Sequence, residues 1–477
     1  MNLCWLIERC AGINGKGLAV IDGETRRDWR ETRDRIARLA AGLNALGCSE
    51  GDRVAVLGLN SHRYFESLFG IPWAGGVMVP INIRLAPAEM AHCINDSGSS
   101  VLLVDKAFLP ALEAMKGQVD GVQKVVYMGD DDPPDGLSGF ESLIADHEAR
   151  PPSERGADDL SGLYYTGGTT GLSKGVMLSH ANQVINALQS RAAFGMGMNA
   201  RYLNVAPMFH AANMIGMLCA TMGATAHVFV PMFDPEAVLR VIEKERVTHS
   251  VMVPTMINML VHHPRIGDFD LSSLEYMLYG GSPMAEAVIG AVMERIPNVS
   301  LGQGYGLTET SPILTQLASE YHTFEGPYAG KTRSAGHVVA GTQLCILDED
   351  GKECAPGEIG EVCARGPNIM QGYWGQPEQT AEAIRDGWFH TGDGGYLDED
   401  GFLYISDRIK DMIVSGGENV YSIEVENALY RHPAVAACAV IGIPSEQWGE
   451  EVHAVVILEQ GHVADDEELI RHCHTLI

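Results

Sequence analysis

The sequence of 477 residues lacks several patterns that would assign a protein class directly. Its ten cysteines are scattered, without a CxxC pair or the Cys/His spacing of a zinc site, so we expect no disulfide framework and a reducing, cytoplasmic location. No apolar run reaches the roughly 18 residues that a membrane-spanning helix needs. The first residues include Glu8 and have no apolar core, unlike a secretory signal peptide.

Positive charge is also scarce in this chain. Lysine and arginine together number 33 against 62 aspartates and glutamates, which gives a formal net charge of −29. Such a surface repels nucleic acid and anionic membranes, so both are poor candidates as partners. Hydrophobic residues (46%) and charged residues (20%) are in the proportions of a globular protein. The length predicts about three structural units, at roughly 100–200 residues per domain.

Apolar strand-like runs alternate with helix-like segments over residues 1–325. Strands are predicted at 54–59, 101–104, 124–127, 226–230, 250–253 and 275–278, with helices at 62–74 and 106–116. This alternation is typical of parallel sheets covered by helices. We therefore predict the α/β class, with a large N-terminal domain of α/β layers.

Glycines and turn signals become frequent over residues 326–405, between short alternating strands at 343–347, 360–364 and 402–405. This pattern predicts a small antiparallel, β-barrel-like subdomain that completes an N-terminal domain of residues 1–407. A short α+β unit is predicted at 411–477, with helices at 422–430 and 465–474 and strands at 435–441 and 451–458.

The densest chemical signal is the segment TGGTTGLSKG at residues 166–175. Its glycines allow the backbone N–H groups to approach a polyphosphate, while threonine hydroxyls and one lysine add donors and charge. The segment fails the Walker pattern because Ser173 precedes Lys174 and Gly175 follows it. The dinucleotide pattern fails at Gly302, Gly304 and Gly306 as well, because their spacing is wrong.

This segment resembles the phosphate loop of the adenylate-forming superfamily, which contains acyl-CoA synthetases, luciferases and peptide-synthetase adenylation domains. One departure is Ser173, where the family usually has proline. The resemblance implies that ATP phosphates are bound by Thr166, Gly167, Gly168, Thr169, Thr170, Gly171 and the catalytic Lys174.

Further motifs match the same family in the same order. Gly280, Gly281 and Ser282 resemble its adenine-contacting turn. In GYGLTET at residues 304–310, the resemblance implies that Tyr305 stacks on adenine, that Thr308 contacts the α-phosphate, and that Glu309 binds Mg²⁺. Carboxylate and phosphate oxygens are the ligands that this hard cation prefers.

The ribose side of the nucleotide site has its own candidates. Asp393, in WFHTGD at residues 388–393, resembles the aspartate that accepts hydrogen bonds from both ribose hydroxyls. Arg408 resembles an arginine that contacts ribose and phosphate.

His210 resembles the family residue that borders the acyl carboxylate and closes the acid pocket. Amino-acid-activating members tend to have an aspartate here, which pairs with the α-ammonium group. A histidine leaves such a buried cation unpaired, so we expect a plain carboxylic acid. The neighbouring Ala211, Ala212, Met214, Ile215 and Met217 predict an apolar acyl pocket.

The last segment resembles the family's mobile cap. Residues 408–410 correspond to the hinge, with Lys410 at its centre, and Gly416 and Gly417 resemble the segment that faces coenzyme A after the cap rotates. The family's cap ends with a Gly-Lys segment, and no such segment follows Asp465. We therefore expect the cap at 411–477 to be incomplete in this chain.

Together these features predict an AMP-forming acyl-CoA synthetase that uses ATP, Mg²⁺ and coenzyme A to activate an apolar carboxylic acid. Alternatives are a carrier-protein thiol or oxygen as the acceptor, or a nucleotide-binding homologue without turnover. The acid stays open among fatty, aryl and short thioether acids. The sequence does not decide the oligomeric state, and a homodimer is compatible with it.

Overall fold

The computed structural model describes residues 1–168, 171–408, 412–415, 418–445, 448–458 and 461–477. The predicted site residues Thr169, Thr170, Lys410, Gly416 and Gly417 lie outside these described residues. No helix within them is both long and apolar enough to cross a membrane.

Strands recur throughout the chain. In chain order they are β1 (Leu18–Asp22), β2 (Thr25–Asp28), β3 (Arg53–Leu57), β4 (Val77–Pro80), β5 (Val101–Val104), β6 (Lys124–Tyr127), β7 (Ser138–Gly139), β8 (Leu160–Gly168), β9 (Gly171–Ser179), β10 (Arg201–Asn204), β11 (Ala226–Phe229), β12 (His249–Met252), β13 (Tyr276–Gly280), β14 (Ser300–Tyr305), β15 (Thr315–Leu317), β16 (His337–Val338), β17 (Gln343–Leu347), β18 (Gly360–Arg365), β19 (Ile384–Arg385), β20 (Trp388–Leu397), β21 (Leu403–Arg408), β22 (Ile413–Ser415), β23 (Glu418–Val420), β24 (Val435–Ser445) and β25 (Gly449–Leu458).

Helices connect most of the early strands. They are α1 (Cys4–Ile13), α2 (Trp29–Ala45), α3 (His62–Trp73), α4 (Pro87–Asp96), α5 (Leu109–Ala114), α6 (Phe140–Ala145), α7 (His180–Phe194), α8 (Ala211–Met222), α9 (Pro235–Glu245), α10 (Pro254–Val261), α11 (Glu286–Arg295), α12 (Pro377–Ala383), α13 (Ser422–Leu429) and α14 (Asp466–His474). Side-chain caps define several starts, as where Asp28 and Glu31 form a capping box at α2 and Ser61 accepts from the Tyr64 amide at α3.

Sheet I has the strand order β16-β15-β14-β13-β12-β10-β11-β1-β2, and its central strands from β14 to β1 run parallel. Sheet II has the order β7-β6-β5-β3-β4-β8-β9 and is parallel except for the β8–β9 hairpin. Helices cover both sheets, as the apolar strand runs require. One core, which includes Trp29, Phe65 and Met217, contains side chains from helices and from both sheets.

Sheet III (β17-β18-β20-β19, with β21 beside β20) is antiparallel and encloses its own small core. Sheet IV (β23-β22-β25-β24) packs with α13 and α14 around Ile413, Leu429 and Val440. The predicted α/β class, with a β subdomain and a small α+β unit after it, is confirmed.

The β subdomain was predicted to begin near residue 326, but the strand pairing changes from sheet I to sheet III only between residues 338 and 343. The short strand His337–Val338 still pairs with β15 in sheet I, and sheet III begins only at Gln343. Turn-forming residues begin earlier in the sequence than the change of sheet, because β15 and β16 are themselves short antiparallel additions to sheet I. The helix predicted at 106–116 is a 3₁₀ turn at Lys106–Phe108 followed by α5.

Candidate active site

A cavity of about 460 Å³ lies among the ends of the sheet I strands, the β8–β9 hairpin and the start of α8. Carboxyl ends of parallel strands open onto one edge of a sheet, which is the usual place for a ligand site in this class. The predicted site residues that line it are Thr166, Gly167, Lys174, His210, Gly280, Gly281, Thr308, Glu309 and Arg408.

The described part of the predicted phosphate-binding segment has more regular backbone pairing than its glycine content suggested. We expected a loop over residues 166–175, but β8 and β9 continue into it as an antiparallel hairpin. Thr166 pairs with Lys174, and Gly168 pairs with Gly171. The lysine is therefore held by the strand ladder, directly opposite a threonine that also lines the cavity.

The outer edge of this hairpin is covered by residues 371–374. The Gln371 amide donates to the Met177 carbonyl at 3.0 Å, and the Trp374 amide donates to the Gly175 carbonyl at 2.8 Å. Tyr373 forms a bridge with Val176, which brings its ring below Lys174, with Nζ 5.2 Å from the ring centroid. Sequence analysis missed Tyr373, because it is distant in the chain from every motif that it contacts.

Glu309 lies in a 3₁₀ turn, Thr308–Thr310, directly after β14. The Tyr373 hydroxyl donates a 2.9 Å hydrogen bond to its Oε1, and its backbone carbonyl accepts from the Met370 amide at 2.8 Å. Burial raises the pKa of Glu309 above its ordinary value, and hydrogen bonds from its own backbone amide and from Tyr373 offset the rise only in part.

A buried carboxylate beside the predicted phosphate-binding hairpin is a suitable ligand for a hard dication, because the divalent charge lowers the cost of burying the carboxylate. The donor set here, the Glu309 carboxylate with the Thr308 hydroxyl nearby in sequence, fits Mg²⁺ that also binds ATP phosphates. Phosphate oxygens and water would complete its coordination.

Two glycines form the wall of the cavity between β13 and β14. Gly280 and Gly304 are direct neighbours across the parallel ladder, and a Cβ atom on Gly280 would lie 2.3 Å from the Gly304 carbonyl oxygen. Gly281 adopts a left-handed φ of +83°. Thus strand packing requires a glycine at position 280, and backbone conformation favours one at position 281, before any ligand binds. Ser282 is exposed and does not line the cavity.

The predicted ribose residues meet on adjacent strands. Asp393 and Arg408 are paired across β20 and β21, and the Arg408 Nε atom lies 3.6 Å from Asp393 Oδ1. The Tyr305 hydroxyl donates to Asp393 Oδ2 at 2.6 Å. Burial, together with the nearby Asp393 charge, raises the pKa of Tyr305 far above its ordinary value, so the phenol keeps its proton and stays a donor.

Glu361 supports the backbone just before Asp393. Glu361 accepts from the Gly392 amide at 3.1 Å and from His390 Nδ1 at 2.7 Å, and Arg385 donates to Glu361 at 3.2 Å. Side-chain atoms of Glu361, Cys363 and His390 that could bind a metal lie within 4.8 Å of one another. The Arg385 guanidinium supplies the positive charge that a metal would bring, so the cluster is best understood as a support for the turn before Asp393.

His210 is the N-cap residue of α8, where its Nδ1 accepts from the Ala212 amide at 3.2 Å. Its side chain is exposed and lines the cavity. Desolvation by nearby protein atoms lowers the pKa of His210, with a smaller contribution from the Arg84 charge. The imidazole is therefore biased towards the neutral form at the mouth of the apolar part of the cavity.

The apolar wall comes from one face of α8. Ala211, Ala212 and Ile215 line the cavity as predicted. Met214 and Met217, expected beside them, are fully buried in the core instead, because they project from the opposite face of the helix. Asn213 also points inward, where its Oδ1 accepts from the Tyr202 hydroxyl at 2.8 Å.

Comparison with known proteins confirms the resemblance to this family. The model of the AMP-binding enzyme family matches residues 7–374, and that of the AMP-binding enzyme C-terminal domain matches residues 424–477. Feruloyl-CoA synthase of an Amycolatopsis species is 40% identical, over 99% of this chain and 91% of its own. A long-chain-fatty-acid–CoA ligase of Mycobacterium tuberculosis is 35% identical, over 99% and 92%.

The solved structures agree as well. An anthranilate CoA ligase in complex with anthranoyl-AMP superposes with a TM-score of 0.92 at 26% identity, over 100% of this chain and 91% of its own. Relatives in the family use ATP and coenzyme A to activate small carboxylic acids. This chain belongs to the AMP-binding enzyme family, and curated relatives of it are named CoA synthases or CoA ligases.

Proposed function

We propose that this enzyme activates a compact, apolar carboxylic acid as its acyl-adenylate and then transfers the acyl group to coenzyme A. The observation that carries the proposal is a single cavity in which Lys174 and Glu309 share walls with the apolar face of α8. Polar groups for a triphosphate and an apolar wall for an acid thus open into one space.

In the first step, a carboxylate oxygen forms a bond to the α-phosphorus of ATP. The bond from that phosphorus to the bridging oxygen breaks, and pyrophosphate leaves with the electron pair. Lys174 offsets the charge on the departing phosphates, and the Thr308 hydroxyl donates to the α-phosphate. Catalysis by these residues consists of positioning and charge stabilisation, without a covalent protein intermediate.

Other residues hold the nucleotide in place. Asp393 accepts hydrogen bonds from the ribose hydroxyls, and Tyr305, which donates a hydrogen bond to Asp393, is the residue that we propose to stack on the adenine. Arg408 lies beside the ribose. Glu309 holds Mg²⁺, which when bound neutralises phosphate charge and favours attack on the α-phosphorus.

In the second step, the coenzyme A sulfur bonds to the acyl carbonyl carbon, AMP leaves, and the thiol proton passes to solvent. We propose that residues 411–477 are the mobile cap for this step and that 408–410 are its hinge. Support comes from the separate sheet IV core and from the position of Arg408, which contacts Asp393 and ends β21. The roles proposed for Lys410, Gly416 and Gly417 rest on the sequence resemblance alone.

The size of the cavity favours a compact acid over a long-chain one. About 460 Å³ is near the lower end of the roughly 300–1,000 Å³ typical of small-molecule sites, and here it must hold nucleotide and acid together. Its apolar lining includes Tyr164, Ile215 and Leu278. A panel of aryl, short-chain and long-chain acids, compared by kcat/KM for pyrophosphate release, tests this. A preference for acids of 16 carbons would contradict it.

The assignment of the polar residues is tested by Lys174→Ala and Glu309→Gln. Each should lower acid-dependent pyrophosphate release about 100-fold or more, as removal of a single preorganised charge or donor does elsewhere. Lys116→Ala is the matched control, because that lysine forms an exposed ion pair with Glu113 and does not line the cavity. Unchanged rates in the first two variants would refute these roles.

The acceptor needs a separate measurement, because relatives include a fatty acid–[acyl-carrier-protein] ligase of Streptomyces coeruleorubidus. Preformed acyl-adenylate should be converted to thioester with coenzyme A faster than with pantetheine or with a carrier protein. Transfer to the carrier protein alone would replace coenzyme A in the proposal and leave the first step intact.

A further inference from the structure

Tyr373 connects the two charged groups of the phosphate site, although no sequence motif marks it. Its ring lies 5.2 Å from Lys174 Nζ, and its hydroxyl donates to Glu309 Oε1 at 2.9 Å. A cation over an aromatic face and a phenol that donates to a carboxylate are both attractive contacts. One side chain therefore contacts the residue proposed for the phosphates and the residue proposed for the metal.

The charged groups have few other partners. Within the described residues, Lys174 forms no ion pair, and Glu309 accepts its side-chain hydrogen bond from the Tyr373 phenol. Opposite charges attract, so a direct ion pair between Lys174 and Glu309 is the alternative arrangement. Such a pair would consume the charge that each group needs for its ligand.

The backbone of Tyr373 is fixed independently of these contacts. It forms a bridge with Val176, two residues after Lys174, and its amide donates to Thr380 Oγ1 at 2.9 Å. Gly372, at a φ of +133°, packs against Thr380 so closely that a Cβ atom would lie 2.6 Å from Thr380 Cγ2. The side chain thus starts from a rigid base, as a positioning role requires.

We propose that Tyr373 is a positioning residue that holds Lys174 and Glu309 apart, the first by its ring and the second by its hydroxyl. This inference rests on the proposed function, in which the lysine binds phosphate and the glutamate binds Mg²⁺. The ring and the hydroxyl act on different groups, so their contributions are separable by substitution.

Two variants separate them. Tyr373→Phe keeps the ring and removes the hydrogen bond to Glu309, whereas Tyr373→Leu removes both contacts. ATP affinity of each purified full chain is measured by calorimetry, with and without Mg²⁺, beside the steady-state rate. Tyr127→Phe is the matched control, because it also removes a phenol–carboxylate hydrogen bond, to Asp131, and does not line the cavity.

For Tyr373→Phe we expect the gain in ATP affinity on adding Mg²⁺ to fall about 10-fold or more, the range for a hydrogen bond to a charged group, while affinity without metal stays unchanged. For Tyr373→Leu we expect the metal-free affinity to fall as well, by roughly threefold to thirtyfold, since the cation–ring contact is lost. Tyr127→Phe should change neither value.

Equal ATP affinities for Tyr373→Phe and the unsubstituted enzyme, with and without Mg²⁺, would overturn the proposal. So would losses of affinity in Tyr373→Phe that only follow a lowered melting temperature, because these would indicate a structural role. If Tyr373→Leu fails to fold, the Phe variant alone decides. Failure of the proposed function is recognised separately, because the unsubstituted enzyme would then release no acid-dependent pyrophosphate.

Discussion

Replacing Gly280 by alanine tests whether the glycine wall is required by the fold. The added Cβ atom would lie 2.3 Å from the carbonyl oxygen of Gly304. In proteins, Cβ atoms essentially never come within 3.0 Å of a non-bonded heavy atom. The obstacle is backbone, which cannot rotate away as a side chain can. The ends of β13 and β14 must therefore separate by at least about 0.7 Å.

That separation affects both stability and activity. Forcing an extra methyl group into a closely packed site costs typically 1–3 kcal/mol, which should lower the melting temperature by several degrees. Tyr305, one residue after Gly304, moves with its strand. A displacement approaching 1 Å in a positioned group can cost about 100-fold in rate, so we expect kcat/KM for pyrophosphate release to fall by tenfold to 100-fold.

Gly267→Ala is the matched control, because a Cβ atom there meets nothing within 4 Å and the glycine has no positive φ. It should leave both the melting temperature and the rate unchanged. If Gly280→Ala retains wild-type stability and wild-type kcat/KM, the close contact between these strands is not needed and the reasoning fails.

Two further predictions concern buried polar groups. Asp393→Asn should raise the KM for ATP about 10-fold or more, because the amide loses the charge that binds the ribose. The melting temperature should change little, because the amide keeps an acceptor for Tyr305. An unchanged KM would contradict this. His227 is fully buried, and burial lowers its pKa to about 3, so it remains neutral in the folded protein. Its stabilising effect is therefore complete above pH 6.5 and is lost as the pH falls towards 3. At pH 5 this one residue should cost about 2 kcal/mol, so melting temperatures between pH 8 and 5 should fall less steeply in His227→Gln than in the parent; parallel curves would exclude the effect.

Local sequence patterns predicted much of the fold correctly. The strands near residues 54, 101, 124 and 226 were correct to within one or two residues, because continuous apolar runs have few alternatives in a parallel sheet. The helix at 106–116 was less accurate, since Pro110 and the 3₁₀ turn before it shorten the regular segment to Leu109–Ala114.

The candidate site was predictable where a residue's role is marked by its own neighbours in sequence. Thr166, Lys174 and Glu309 all reach the cavity as the motifs implied. Contacts between distant segments were not predictable. Tyr373 meets Glu309 across 64 positions in the chain, and hydrophobicity alone could not assign Met214 to the core rather than to the cavity.

The backbone wall at Gly280 and Gly304 has a consequence for how substrate range can change over evolutionary time. A surface made of main-chain atoms offers nothing to substitute, since any larger residue at Gly280 meets the opposite carbonyl. The α8 wall is different, because Ala211, Ala212 and Ile215 present side chains that can be enlarged or reduced one at a time. New acid specificities in this scaffold should therefore be acquired at such side chains, while Gly280 and Gly304 remain glycine.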